Sequence, residues 1–280
     1  MLTAIVNPLS APGSFAAASL QRVKDQLGIA DTSKDVELAR LIKAASLELA
    51  GVFGVRRQYW RQSWKVRLPG LGGLFLPLPV WPIESVSSVQ EGTDASPATV
   101  DLSEYEISDP DRQSLYRPNG WLCYESRIPG LQAAAADPLG YTVQCIAGWL
   151  MPDEAPLWSA AATVKASGYI APNVASLFLF QASGNGTTGS TEPAWPTTLG
   201  ASVGDNGITW TAVAARRLPE DLEEAAIVTV ADWYEGGLAL PSGVAAEAHA
   251  GHSVTYSSPQ AQHGHNPLPP AARAIAAAYR

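Results

Sequence analysis

Charge and cysteine are what this sequence has least of. Only 16% of its 280 residues are charged, and cysteine occurs twice, at Cys123 and Cys145. Neither sits in a C-x-x-C pair, so a zinc site or a disulfide framework is not indicated; both fall in runs that read as strands, as reduced thiols. Basic residues are outnumbered, 18 Lys and Arg against 26 Asp and Glu, for a net charge of -8. That argues against a nucleic-acid grip made from a broad basic face, though not against a path along which DNA slides without sticking. The four histidines, His249, His252, His263 and His265, all lie late in the chain. His263-x-His265 has no carboxylate or cysteine placed around it, and solvated tail histidines account for the set. No apolar run approaches the roughly 18 residues of a membrane helix, and Met1 to Gly13 lacks a basic segment followed by an apolar one. The expectation is a soluble protein made in a cytoplasm. No nucleophile elbow, H-E-x-x-H, P-loop or dinucleotide fingerprint occurs. Asp109/Asp111 reads as a turn, and Glu220/Asp221/Glu223/Glu224 as helix N-terminal charge. The expectation is therefore no catalytic residue, no metal, no cofactor and no enzyme.

What is present is apolar material, 46% of residues, enough to bury a core and exclude global disorder. Leu20, Val23 and Leu27 share one helical face, and Gly28 closes that helix. A longer helix is expected from Ser33 to Phe53, with Leu38, Leu41, Ile42, Ala45, Leu49, Val52 and Phe53 as its stripe. Asp31, Thr32 and Ser33 are N-cap candidates and Gly54 its stop. The period then changes. Trp64, Val66 and Leu68 alternate with Lys65 and Arg67 as a strand, and a hairpin turn is expected at Gly72-Gly73. Val86–Gln90, Tyr105–Ile107, Trp121–Tyr124 and Tyr141–Ala147 are further strand candidates.

Composition shifts from Pro156 to Ala214, where Lys165, Glu192 and Asp205 are the only charges and three of the nine tryptophans fall. This stretch reads as a small β module inserted in the main domain, with strands at Leu177–Gln181 and Ile208–Val213. A helix follows Pro219, with Leu222, Ala226, Ile227, Val230, Trp233 and Tyr234 as its buried stripe and Gly236-Gly237 as its end. Pro241 to Pro267 reads as a mobile tail, and Pro269-Pro270-Ala271 to Arg280 as a short alanine-rich helix. The fold class expected is α+β: a helical bundle core from two N-terminal helices and a late one, a β-rich region, and an inserted all-β module. The boundaries expected are 1–155, 156–215, 216–240 and 241–280.

Four stretches, in this order, resemble the head–tail connector (adaptor) family of tailed bacteriophages. They are Val23-Lys24-Asp25-Gln26-Leu27-Gly28-Ile29 with its following helix, Pro79-Val80-Trp81-Pro82-Ile83-Glu84-Ser85-Val86, Tyr141 to Gly148, and Leu218-Pro219-Glu220-Asp221-Leu222 running to Trp233-Tyr234-Glu235. The resemblance implies a structural virion protein at the head–tail junction, assembled in a bacterial cytoplasm. It implies a homo-oligomeric ring of twelve copies, matching a twelvefold portal, with DNA passing transiently through its lumen. Partners would be the portal protein and a tail-completion, stopper or tail-tube protein, with no membrane. The 156–214 stretch departs from simple members of the family. Its pattern from Gly184-x-Gly186-Thr187 through Glu192-Pro193-Ala194-Trp195-Pro196 to Asp205-Asn206-Gly207-Ile208-Thr209-Trp210 resembles a small β module of phage tail and appendage proteins.

Three residue sets are candidate contacts, each with two readings. Arg56, Arg57, Arg61, Lys65 and Arg67, interleaved with Trp60 and Trp64, would touch an acidic portal surface or passing DNA, or form a solvated strand face with the tryptophans inward. Trp158, Tyr169, Trp195 and Trp210 would stack on the sugar rings of a glycan or host surface, or form the core of a small module. Leu268, Ile275, Tyr279 and Arg280 are, by the resemblance, the portal contact, or else a frayed tail.

Overall fold

The computed structural model describes every residue except 1–4, 70–71, 94–95, 109–112, 123–139, 175, 237–245, 250–251, 256–266 and 280. Cys123, the Asp109/Asp111 pair, His263, His265, Arg280 and much of the expected tail lie outside the described residues. The fold is α+β, with four helices and several small antiparallel sheets among the described residues and no closed barrel. In chain order the helices are α1 (Leu20–Leu27), α2 (Asp35–Ala50), α3 (Glu220–Glu235) and α4 (Pro270–Ala277).

α1 ends as its sequence requires: the Ser19 side chain accepts from the Arg22 N–H, and Gly28 takes the left-handed conformation at φ 67°. α2 starts later than expected, at Asp35. Asp31 commits its carboxylate to the Ser33 N–H and hydroxyl, 2.8 and 2.5 Å away, so it builds the preceding turn instead of capping the helix. α2 also stops at Ala50, short of Phe53, because the chain reverses there. The Val55 N–H reaches back to the Leu49 carbonyl, and a Cβ on Gly54 would stand 2.0 Å from that same oxygen. The helices pack Val23, Leu38, Leu41, Ile42, Ala45, Leu49, Leu222, Ala226, Ile227, Val230 and Trp233 into one core with Tyr59, Trp60, Trp149 and Met151. At its centre Ser46 accepts from the Ala17 N–H, donates to the Ile42 carbonyl, and offers its own carbonyl to the Tyr59 hydroxyl.

Beside this core lies a five-stranded antiparallel sheet in the order β1 (Ile5–Pro8), β2 (Gln62–Leu68), β8 (Gly140–Ala147), β4 (Ile83–Thr93), β5 (Ser96–Val100). Alternation places Trp64, Val66, Leu68, Val89, Tyr141, Val143, Cys145 and Ala147 on its inner face. A three-stranded sheet, β3 (Phe75–Pro77), β7 (Ser114–Tyr116) and β6 (Glu106–Ile107), adds Leu76 and Leu115 to that core. The expected hairpin at Gly72-Gly73 does not form. β3 pairs with β7 in the second sheet, not with β2, and the Gly73 carbonyl instead accepts from the Trp121 N–H at 2.7 Å. Trp121 and Leu122 are not strand; Trp121 packs its ring edge-on against Tyr141.

Residues 156–215 carry β9 (Thr163–Val164), β10 (Tyr169–Ile170), β11 (Leu179–Ala182), β12 (Gly186–Thr187), β13 (Ser202–Asp205) and β14 (Ile208–Val213). β10, β11, β14 and β13 form one sheet over their own core of Trp158, Ile170, Phe180, Ile208 and Trp210. A last hairpin pairs β15 (Ala246–His249) with β16 (His252–Thr255).

Candidate functional site

The two ends of the 156–215 segment meet where the helices and the five-stranded sheet join. Leu150 and Arg217 form a parallel bridge, with Leu150 N–H donating to Arg216 and Leu218 N–H to Leu150. Just below it, Glu223 on the first turn of α3 is fully buried. Its carboxylate takes the Arg217 guanidinium at 2.9 Å, the Arg22 guanidinium at 2.8 Å and the Ser19 N–H at 3.3 Å, while Arg217 also donates to the Ala155 carbonyl. One carboxylate thus ties α1, α3 and both ends of the segment together. The sequence reading of Glu223 as helix N-terminal charge does not reveal this role.

The terminal helix is seated on the same body. Leu268, Ala272 and Ala276 are fully buried in the helical core, with Ile275 and Tyr279 packed against it. The Trp233 indole N–H donates to the Pro267 carbonyl at 2.9 Å. The Tyr279 ring stacks on Trp81 at 6.3 Å and meets Trp149 edge-on at 6.0 Å, and its hydroxyl donates to Asp221 at 2.7 Å. Three of the four expected portal-contact residues therefore face the chain's own core here.

Burial holds the Tyr59 phenol far above its usual range, and burial followed by the bond to Asp221 does the same for Tyr279. Both are raised, so the fold favours the neutral phenol. That stabilisation is complete below the unfolded value near pH 10 and is lost as pH climbs through the folded values. The urea midpoint should begin to fall near about pH 8.5–9, where the unfolded Cys145 thiol ionises while burial holds the folded thiol up at about 12, and fall more steeply above about pH 10 as the tyrosines join. Tyr59→Phe should flatten the fall; an equal slope in the variant would contradict the assignment.

The basic residues do not converge. Arg57 lies 4.8 Å over the Trp81 ring, and Arg61 makes a bidentate pair with Glu84 at 2.5 and 2.9 Å while lying 5.6 Å over Tyr169. Arg56 is exposed and bonds the Val52 carbonyl. Lys65 and Arg67 alternate with the buried Trp64 and Val66, on the sheet's outer face. Trp60 and Trp64 are buried.

In the 156–215 segment, carboxylates organise the tryptophans. Asp205 is buried, and its Oδ2 accepts from the indole N–H groups of Trp158 at 3.0 Å and Trp210 at 3.3 Å, while Oδ1 accepts from the Gly189 N–H at 2.7 Å. Glu192 accepts from the Trp195 indole at 2.7 Å and twice from Asn173. Burial raises the Glu192 carboxyl, but these hydrogen bonds outweigh it and hold it below the usual range. The acid–tryptophan spacings of the sequence are thus internal hydrogen bonds. Trp210 is fully buried and Trp158 nearly so, leaving Tyr169 and Trp195 as the half-buried members of the expected glycan-contact set.

Two clefts flank one ridge of this segment. One, of about 600 Å³, runs from Leu157 and Pro172 to Arg216 and Glu220; the other, of about 480 Å³, holds Glu192, Trp195 and Pro196. Both share Val174, Ser176, Leu177 and Phe178, and Val174 and Leu177 are 64% and 78% exposed. On α2, Val36 and Leu47 are 86% and 45% exposed. The sequence reading expects the long helix and the β region to supply the two faces of a ring; it does not single out Val174 or Leu177. Among the described residues no three histidine, cysteine or acidic side chains gather as a metal group, and burial pushes the Cys145 thiol up to about 12. No described helix is long and apolar enough to cross a membrane.

No family model and no curated protein matches the chain. Among solved structures it is similar to a chain of the neck of an empty gene transfer agent particle computed with C6 symmetry, at 14% identity over 99% of this chain and 95% of that one, TM-score 0.44. It is also similar to a chain of the virion of a native gene transfer agent particle, at 14% identity over 88% of each, TM-score 0.42.

Proposed function

We propose that this chain is a structural adaptor of a tailed-phage-like particle, forming a ring at the head–tail junction, and that it performs no chemistry. The observation that carries the reading is the ordered set of four connector-like stretches, each of which contributes residues to the helical core, the sheet core or the seam between them. Val23 packs in the helical core and Lys24 pairs with Asp35 at 2.8 Å. Trp81 packs against Trp149 and Tyr279. Gly148, at φ 107°, lets the chain pass Trp60, whose carbonyl a Cβ would meet at 2.4 Å. Leu218, just before α3, and Leu222 on its first turn close the core. A closed ring needs two different, complementary faces on each copy, and the chain exposes apolar residues on several unlike surfaces, among them α2 (Val36, Leu47), β3 (Phe75) and the 156–215 segment (Val174, Leu177).

In this reading twelve copies sit on the portal, a tail-completion, stopper or tail-tube protein binds below, and DNA passes through the lumen. Arg56, Lys65 and Arg67 are the cations turned outward to DNA or portal. α4 is the portal-directed element, and Leu268, Ile275 and Tyr279 must leave their present seat to touch a partner directly. Electron microscopy of the protein mixed with its portal tests this. A ring at the joint is expected, lost when the chain is cut after Pro267. Portals that stay bare with the full chain would sink the reading.

A second reading assigns the 156–215 segment to a glycan or host surface. The cleft lined by Trp195 favours it, with Tyr169 beside the seam. Binding of the full chain on a glycan array, lost in Trp195→Ala while the fold is kept, would support it.

A further inference from the structure

The chain's four histidines all fall between positions 249 and 265, and the fold brings two of them together. β15 and β16 pair antiparallel, with Ala246 opposite Thr255, Glu247 opposite Val254, Ala248 opposite Ser253 and His249 opposite His252. His249 is the last residue of β15 and His252 the first of β16, so the pair stands at the closed end of the hairpin. Directly opposed residues share a face, with Cβ atoms about 4.5–5.5 Å apart. Alternation puts Glu247 and Val254 on that same face and Ala246, Ala248, Ser253 and Thr255 on the other. One face of the hairpin end therefore carries two histidines and, one pair further along, an acid. The opposite face carries neither.

That register has a chemical consequence. Zinc takes an imidazole nitrogen at about 2.0–2.1 Å, so one ion shared by two rings needs them a few ångström apart. Opposed strand positions supply that spacing. Neighbours along one strand do not, because they lie on opposite faces. Read as solvated single side chains, the histidines give no sign of the pairing; only the register does.

We infer that His249 and His252 form a site for a divalent transition-metal ion of the zinc type, with water completing the coordination, and that the ion pins β15 to β16. Imidazole suits Zn²⁺, Ni²⁺ and Cu²⁺, whereas Mg²⁺ and Ca²⁺ take oxygen ligands, so the site discriminates between the two groups. Glu247 on the same face adds negative charge beside the cation. Two protein ligands bind more weakly than the four of a structural zinc site, which places the dissociation constant at about 1 to 100 µM. Both imidazoles must be neutral to bind, so affinity falls as pH drops through about 6.5. The site belongs to a single chain and needs neither ring nor portal. Its pin lies in the stretch between α3 and α4, so the ion would order part of the connection to the terminal helix.

Calorimetric titration of the full chain with zinc at about pH 7.5, where free imidazole is neutral, tests the site. About one zinc per chain is expected, and no binding of magnesium. His249→Ala and His252→Ala should each weaken binding by about tenfold or more, since either leaves a single imidazole. His263→Ala combined with His265→Ala should leave it unchanged. The most discriminating variant keeps the composition: His252→Ser with Ser253→His retains four histidines but moves one to the other face, and it should bind as poorly as His252→Ala. Amide exchange at 246–249 and 252–255 should slow when zinc is added to wild type and stay unchanged in His252→Ala. An unchanged circular dichroism spectrum and melting curve in each variant shows that a loss is local. Wild type that takes up no zinc at about millimolar metal, or binding that survives the move of His252 or disappears only with His263 and His265, overturns the pair. Zinc that binds without slowing exchange in the hairpin overturns the pin.

Discussion

Replacing Glu223 by alanine is expected to destabilise the fold by about 3–5 kcal/mol, the usual cost of removing one partner from a buried ion pair. The magnitude follows from what is left behind. Arg22 is 43% exposed in its side chain and can return to water. Arg217 is only 13% exposed, and its guanidinium would stay under the bridge at Leu150 with the Ala155 carbonyl as its remaining partner. The Ser19 N–H, at the start of α1, would also lose its acceptor. Glu223→Gln keeps the shape and one acceptor oxygen, so it should fall between wild type and alanine. Urea unfolding followed by circular dichroism and tryptophan fluorescence measures the difference. A loss below about 1 kcal/mol, the value of an exposed surface pair, would mean that the knot contributes little. Because the same carboxylate holds both ends of the 156–215 segment, the alanine variant should also loosen that segment.

The sequence carried some of this and hid the rest for identifiable reasons. α1, α3 and β14 were legible because periodicity, caps and turn glycines agree there. β4 was read only from Val86 because two register shifts against β8, between Ile83 and Ser85 and between Val86 and Ser88, interrupt its alternation. β1, β5 and β13 are edge strands of four, five and four residues, too short for an alternation to stand out. The Gly72-Gly73 turn was recognised as a turn but not as a crossing between sheets, since only the Gly73–Trp121 contact decides that. Glu223 was invisible for a similar reason. A helix N-terminal acid is ordinarily solvated, and its burial depends on Arg22 arriving from the other end of the chain. The four connector-like stretches turn out to be rich in scaffold residues. They speak to how the chain folds; exposed apolar side chains such as Val36, Val174 and Leu177 belong to no spacing or motif that sequence reading could use.

The largest local effect is expected at Asp205. Asp205→Ala should unfold the 156–215 segment while leaving the helical core and the five-stranded sheet intact. Three buried donors depend on that carboxylate: the indoles of Trp158 and Trp210 and the Gly189 N–H. Each buried donor left without an acceptor costs about 1–3 kcal/mol, and the core these groups serve is small, with Phe180, Ile170 and Ile208 as its main further members. A core of that size has only a few kcal/mol to lose. The Asp205→Asn variant would keep one acceptor oxygen and should retain part of the stability. The expected signature is a red shift in tryptophan emission and protease cleavage confined to residues 156–215, with the helical circular dichroism signal preserved. Emission and protease resistance that match wild type would show that the indoles find other acceptors. The outcome also bears on the glycan reading. Trp158 and Trp210 are fixed inward by Asp205, so loss of sugar binding in Asp205→Ala would report an unfolded platform, whereas Trp195, half-buried at the cleft beside Glu192, is the ring whose removal separates recognition from folding.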